Sequence, residues 1–483
     1  MSWSPAGAAR VLVTVGLVGG LLFAAGQRPG AVDLTALTGP ARSDQAGPAA
    51  AQPPSSAVLT CVGPELSGVK GVPDIAQNLT VAAESAPREA TGATGTGSLR
   101  LAAPGADPLA ESTTGSVAGA VPSPGIIEAM GKGVFAPGLS ALQQSANDSP
   151  EARGLATLPC TTASAESWLI AGGGAPGRQE RLVLANPGAN EITVDVSVLG
   201  AKGPVTADNG RGVVVPGRGR TNVLVDAIAG GEPTPVIHVS VHGGTAVAAL
   251  MDAWLDGSVA AGVEATTETA PPATTQIIPL VDLAQAGLVR VAVPGNTQGV
   301  VRVRLLTTTG PAPLPDGGVQ RIPARSSLDV PLRGIPGGAY ALEVSADVPV
   351  VAAAFSQARD ASGPGDFAWT PATTAVTGVA GIPLPTVSGT HQLALATGDA
   401  AAAVQVYTRT GETVTARTAT VEADRVSVVD LGGAESVWIA GAKTPVYAAV
   451  LTTVGTGATR MIAVAPLTDL TVSVTATRSY PQP

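Results

Sequence analysis

ALEVSADVPVVAAAF, residues 341–355, is the stretch whose reading decides the fold. Leu342 and Val344 alternate with Glu343 and Ser345, the period-two pattern of a strand with one dry face. Asp347-Val348-Pro349 then reads as a tight polar turn into the apolar run from Val350 to Phe355. Two other stretches follow the same plan: VIHVSVHGGTAVAALM at 236–251 and SVWIAGAKTPVYAAVL at 436–451. Each apolar run carries an alanine pair, Ala248-Ala249, Ala352-Ala353 or Ala448-Ala449. Ala249 and Ala353 lie 104 residues apart, and Ala353 and Ala449 lie 96 apart.

The surrounding elements recur in step. Asn186-Pro187-Gly188, Pro294-Gly295-Asn296 and Thr397-Gly398-Asp399 each end a strand, and Pro-Gly in the first implies a type II turn with Gly at the positive-φ position. Valine-rich alternation comes next. Val194, Val196 and Val198 oppose Thr193, Asp195 and Ser197; Val301, Val303 and Leu305 oppose Arg302 and Arg304; Val404 and Val406 oppose Gln405. A further strand pair follows in each copy, at 212–216 and 221–225, 319–323 and 327–332, and 419–423 and 426–431. Each copy closes on a Pro-Leu step, Pro279-Leu280, Pro383-Leu384 or Pro466-Leu467. About seven short strands in roughly 100 residues is the pattern of an immunoglobulin-like β-sandwich. The expected fold is therefore all-β, with tandem sandwich units at 178–275, 276–380 and 381–470 and a terminal strand and tail at 471–483. A propeller is the competing repeat architecture, with two four-stranded blades per repeat.

Ahead of the repeats, Arg10 precedes an uncharged run at 11–26. That run is long for a signal peptide core and short for a full span. Residues 1–27 read as an uncleaved signal anchor, with a cleaved signal peptide as the alternative; either way the rest is exported. Residues 28–56, rich in Pro, Ala, Gly and Ser, read as a flexible linker. Residues 57–177 read as a loosely packed β/loop region in which 126–132 and 139–144 form short helical turns. Cys61 and Cys160, the two cysteines of the chain, are expected to form one disulfide that ties this region down. Closing a loop of about 100 residues contributes roughly 4–5 kcal/mol in the chain-entropy model.

Composition narrows the function. The chain has 483 residues, a net charge of −9 and 3% aromatic residues. Four of its 27 cationic residues are lysines, a bias that points to a GC-rich bacterial genome. No basic stripe exists to release counterions from phosphates, so nucleic acid is not an expected partner.

The series Trp168-Leu169-Ile170-Ala171-Gly172-Gly173, then RLVLANPG at 181–188, a valine-rich strand and a later Val-Ala-Ala strand resembles a family of uncharacterised, membrane-anchored or secreted actinobacterial envelope proteins, a domain of unknown function. Cys61 and Cys160 fit the same pattern over about 57–470. The resemblance implies an N-terminal membrane segment and β-rich extracytoplasmic units, and it carries no catalytic residues to transfer.

No catalytic, cofactor or metal set emerges from the residues. His238 and His242 share a strand face but lie about 13 Å apart at the usual rise. Asp252 and Asp256 read as a solvated turn after a strand, with a carboxylate pair beside a glycan cleft as the sharper alternative. No G-x-S-x-G elbow, P-loop or dinucleotide fingerprint is present. Trp168, Trp254 and Trp369 would stack on sugar rings if exposed and cap the cores if buried; the scarcity of large aromatics favours burial. The expectation is a non-enzymatic structural, scaffold or binding protein of the cell envelope, with the membrane as one partner and a cell-wall glycan or another envelope protein as the other. A carbohydrate-binding accessory to cell-wall polysaccharide synthesis is the alternative, and an envelope glycan-acting enzyme the third reading.

Overall fold

Short valine-rich strands separated by Gly and Pro turns assemble into antiparallel sheets throughout the computed structural model. It describes residues 51–64, 66, 77–122, 125–150, 152–205, 208–284, 286–359 and 363–475. The expected leader at 1–27 and most of the linker lie outside the described residues. Among those residues no helix is long and apolar enough to cross a membrane.

Residues 52–474 build four two-sheet sandwiches, one more than the repeat pattern implied. In every unit one sheet has the strand order first-sixth-third-fourth, and the other fifth-second-seventh-eighth. In the first unit the strands are Ser56–Cys61, Leu79–Ser85, Gly97–Ala102, Pro108–Ser112, Ser116–Ala120, Ile127–Gly133, Leu139–Asn147 and Gly154–Pro159. The later units start at Glu166–Ile170, Ala273–Leu283 and Val379–Pro383, somewhat before the expected boundaries at 178, 276 and 381. Pro279-Leu280 and Pro383-Leu384 accordingly fall in or just after opening strands rather than closing units. The two-layer sandwich stands, but its order is not the immunoglobulin one. There the first strand pairs with the second; here it pairs with the sixth.

The region at 57–177 is therefore not loosely packed. Leu59, Val81, Leu99, Leu101 and Ala129 are buried in a core of its own. The segments read as helical turns are strands, Ile127–Gly133 and Leu139–Asn147. Gln, Ala and Leu favour helix weakly, and burial of both faces of the second segment overrides that preference. The expected disulfide joins Cys61 to Cys160, with their Cα atoms 4.5 Å apart. Reducing it is expected to destabilise the first unit by roughly 2–5 kcal/mol. Non-reducing mass spectrometry checks the bond itself, since two free thiols would contradict it.

The stretch at 341–355 is not two strands split by a turn. Gly338–Arg359 is one continuous strand that changes sheets. Its first half pairs with Ala273–Leu283 and Gly299–Leu306, and its second half with Ala286–Val293 and Gly365–Pro371. In the second and fourth units the same crossing is broken into Val236–His242 and Val247–Asp256, and into Ser436–Ala440 and Tyr447–Val454. The type II turn is not formed as expected either, because Gly188 has no positive φ. The left-handed residues sit on the facing loop: Arg218, Arg325 and Asp424, with φ of 53°, 54° and 55°. Their N–H groups donate to the carbonyls of Gly188, Gly295 and Gly398, the same bond in three successive units.

The units are not strung out in a line. Their eighth strands, Gly154–Pro159, Val259–Thr266, Gly365–Pro371 and Met461–Leu467, meet in cyclic order, first to second, second to third, third to fourth and fourth to first. The alanine pairs explain how. Ala248, Ala352 and Ala448 face their own cores, whereas Ala249, Ala353 and Ala449 face the preceding unit. Ala141-Leu142 is the fourth pair: Ala141 faces its own core and Leu142 enters the core of the last unit. The second sheet of each unit is thus buried on both faces, which is why its seventh strand carries a continuous apolar run in the second, third and fourth units. Small residues let neighbouring sheets approach, and each buried Val, Leu or Ile in these seams contributes roughly 1.5–3 kcal/mol. Successive head-to-tail contacts that close in this way make a ring.

Candidate functional site

Several buried charged groups of this protein lie where the sandwiches meet. At the centre, the buried carboxylate of Asp366 accepts hydrogen bonds from backbone N–H groups of the three other units. Oδ2 accepts from Leu155 at 3.0 Å and Ile462 at 3.0 Å, and Oδ1 accepts from Val263 at 3.3 Å. A fourth amide, that of Phe367, also acts on it. Gly154 and Gly262 permit this approach, since a Cβ on either would lie 2.9 Å or 2.8 Å from Asp366 Oδ1. Burial pushes the carboxyl up to about 8, and the amide donors pull it down. Beside it, burial holds Glu264 well above its ordinary value.

The seam between the second and third units is held by two arginines. Arg290 is 2% exposed and binds Asp329 through Nε at 2.8 Å and NH2 at 3.0 Å. Its guanidinium also donates to the carbonyls of Gly172 at 2.9 Å and Pro233 at 3.1 Å, and lies 5.0 Å from the Trp369 ring. Arg178 binds Asp252 through Nε at 2.8 Å and lies 5.3 to 5.6 Å from the rings of Trp254, Phe355 and Phe367. Asp252 Oδ2 accepts in addition from Gly172 N and Trp369 Nε1. Asp252 is thus no solvated turn residue but a buried anchor. Asp256 is exposed and pairs with Arg359 at 2.9 Å, so the two aspartates do not face a common cleft.

Trp369 is buried, Trp168 is buried and stacked 4.2 Å from His238, and Trp254 is half-buried between Arg178 and Arg359. They form no shared open face. His238 and His242 are separately bonded to Glu166 and Asp195. Among the described residues no cluster of His, Cys, Asp and Glu suits a metal ion.

Two open concavities lie at the closing seam, where the fourth unit meets the first. One cleft of about 560 Å³ is walled by Ser116–Ala118 on one side and Pro383–Gly389 on the other, with Glu84, His391 and Glu435 among its lining. A second, of about 520 Å³, shares Ser116 and Glu435 with it and is lined by Arg88, Glu89, Phe135 and Glu412. Between them Arg409 crosses the seam. Its NH1 lies 3.0 Å from Glu84 Oε2, its NH2 donates to Ser85 O, and its guanidinium lies 5.2 Å from the Trp438 ring. Burial pushes Glu84 up to about 7, opposed by Ser436 and Arg409. Burial also lowers His391, whose Nδ1 meets Thr452 Oγ1 at 3.1 Å. Glu84 is buried and committed to Arg409, so of the two carboxyls lining the first cleft only Glu435 is open to it.

Burial pushes Glu180 up to about 7 as well. For Glu84, Glu180, Glu264 and Asp366 the folded value exceeds the unfolded one. Their contribution to stability is complete below the ordinary carboxylate range, and that of Glu84, Glu180 and Asp366 is lost as pH rises through 7 to 8. The thermal midpoint is expected to fall between about pH 5 and pH 9. Scanning calorimetry across that range checks this; a rising midpoint would contradict it.

An all-β protein of four like sandwiches, closed on itself and braced by buried ion pairs, is what the fold and seams define. The chain belongs to a family of unknown function, DUF5719, whose model matches residues 113–430. No curated protein matches it. Among solved structures it is similar to the "tetra-tandem repeat in extending region of large adhesion protein", at 13% identity over 82% of this chain and 92% of that one, with a TM-score of 0.09. That score is too low to carry any argument.

Proposed function

We propose that this protein is a non-enzymatic structural or binding component of a bacterial cell envelope, held at the membrane through residues 1–27 with its four sandwiches outside the cytoplasm. If the leader is cleaved, the same body is secreted. The observation that carries the reading is where the charge chemistry lies. Arg178, Arg290 and Arg409, with Asp252, Glu84 and Asp366, are spent on joining sandwiches, and the two clefts of the closing seam keep only exposed Arg88, Glu89, Glu412 and Glu435 beside backbone edges and hydroxyls. The Cys61–Cys160 disulfide suits an oxidising compartment. A glycan platform built on Trp168, Trp254 and Trp369 is disfavoured, because stacking needs open indole faces. The test is a screen of the purified protein against cell-wall substrates; reproducible turnover, abolished by substitutions in the closing-seam clefts, would overturn the reading.

A further inference from the structure

We propose that the closing seam binds an extended segment of another polypeptide by strand addition to the free edge of Ser116–Ala120, with a basic residue of that segment held in the adjoining acidic cleft. The proposal rests on the binding role proposed above and names its partner class.

Ser116–Ala120 is the edge strand of its sheet. Ser85 N donates to Gly115 O and Val121 N to Leu79 O, so odd-numbered residues pair inward with Leu79–Ser85. Hydrogen-bonded pairs alternate along an antiparallel ladder. Ser116, Ala118 and Ala120 therefore turn their N–H and C=O groups outward, and all three are exposed. The equivalent fifth strands are not left open in this way. Gly219–Leu224 is half-buried throughout, and Ser326 and Ser327 are buried at the start of Ser326–Pro331. The N–H of Val426 is donated to Thr307 O of the preceding unit. At those seams the preceding unit covers the fifth strand. At the closing seam the same edge faces a cleft of about 560 Å³.

Unpaired strand edges are templates for another strand, and proteins that do not use them blunt them with charge, proline or a bulge. Ser116–Ala120, SVAGA, has none of these. Pro385 across the cleft has no N–H to offer, so a guest main chain would be read from the Ser116–Ala120 side. The next cleft fixes the charge of the guest. Glu89, Glu412 and Glu435 are exposed there against the single exposed cation Arg88. A lysine or arginine just beyond the paired residues complements that surface.

The experiment pans a displayed library of random nine-residue peptides against the full chain in detergent. Recovered peptides are then measured by fluorescence anisotropy against the wild type, Ala118→Pro, Ser388→Trp and Glu435→Lys. Ala118→Pro removes an outward N–H, Ser388→Trp fills the cleft from the opposite wall, and Glu435→Lys reverses the charge. Expected are proline-poor, β-branched sequences with a Lys or Arg near one end, weakened at least tenfold by Ala118→Pro or Ser388→Trp and by Glu435→Lys. Methylating alternate peptide nitrogens should abolish binding. Should Ala118→Pro fail to fold by circular dichroism, Ser388→Trp and the methylated peptides decide. An empty selection, acidic or proline-rich binders, or binders indifferent to all three substitutions would overturn strand addition. Those outcomes leave the non-enzymatic reading standing, since only turnover on envelope substrates removes that.

Discussion

Asp366→Ala is expected to separate the four sandwiches from one another before any of them unfolds. The substitution leaves the amides of Leu155, Val263 and Ile462, each from a different unit, without their acceptor in a buried centre. An orphaned buried donor costs about 1–3 kcal/mol, so the loss should amount to several kcal/mol, concentrated at the seams. Asp366→Asn keeps the volume but turns an NH2 toward amide donors, and should recover only part of the loss. Hydrogen exchange is the readout that separates this from ordinary destabilisation. The amides of the four eighth strands should lose protection while the sandwich cores keep theirs. Uniform loss across the cores, or a denaturation midpoint equal to that of the wild type, would contradict a central latch.

Arg290→Met should cost about 3–5 kcal/mol, the range for breaking one partner of a buried pair. Asp329 loses both of its charge-assisted bonds, and the carbonyls of Gly172 and Pro233 lose their donor. Methionine fills much of the space against Trp369, so the loss reports the polar network rather than a cavity. Adding Asp329→Leu should return part of the stability, because an unpaired carboxylate is then no longer left at the seam. The double-mutant cycle is measured by chemical denaturation of single and double variants. A single-variant loss below about 1 kcal/mol would place Arg290 outside the bracing of the seam.

The alternation of Val194, Val196 and Val198 was enough to read antiparallel sheet, because it is a local pattern set by a two-residue period, and the return of the alanine pairs after 104 and 96 residues was enough to read repetition. The first sandwich was not legible in the same way. Its Ser, Gly and Gln strands, such as LSALQQSAN, carry weak β-propensity and are held extended by neighbours on both faces. Closure was hidden for a similar reason. The apolar run at 350–355 was read as a buried strand, but nothing in it says whether the second dry face meets its own unit or another. The seam residues were legible only as oddities. Arg290 interrupts LVRVAV and Asp366 interrupts GDFAWT, a charge within an otherwise apolar strand. Such an interruption signals a buried partner, but the partners of Asp366 are backbone amides from about 100 to 210 residues away, which no spacing reveals. Asp252 reads as a turn residue because the apolar run ends just before it, yet it lies within Val247–Asp256 and its partners Arg178 and Trp369 arrive from two other strands.

Because each sandwich covers the sheet of the next, and the fourth covers that of the first, the repeat number is not free to drift. An open solenoid tolerates gain or loss of a module, since each added copy makes the same contacts as the last. Here a fifth copy would have no place against Asp366, and deletion of one would strip a neighbour's sheet bare on one side and remove either the central carboxylate or one of its donors. Gene duplication could build this architecture, but once it closed, selection could act on the modules only by divergence, each in its own fixed position.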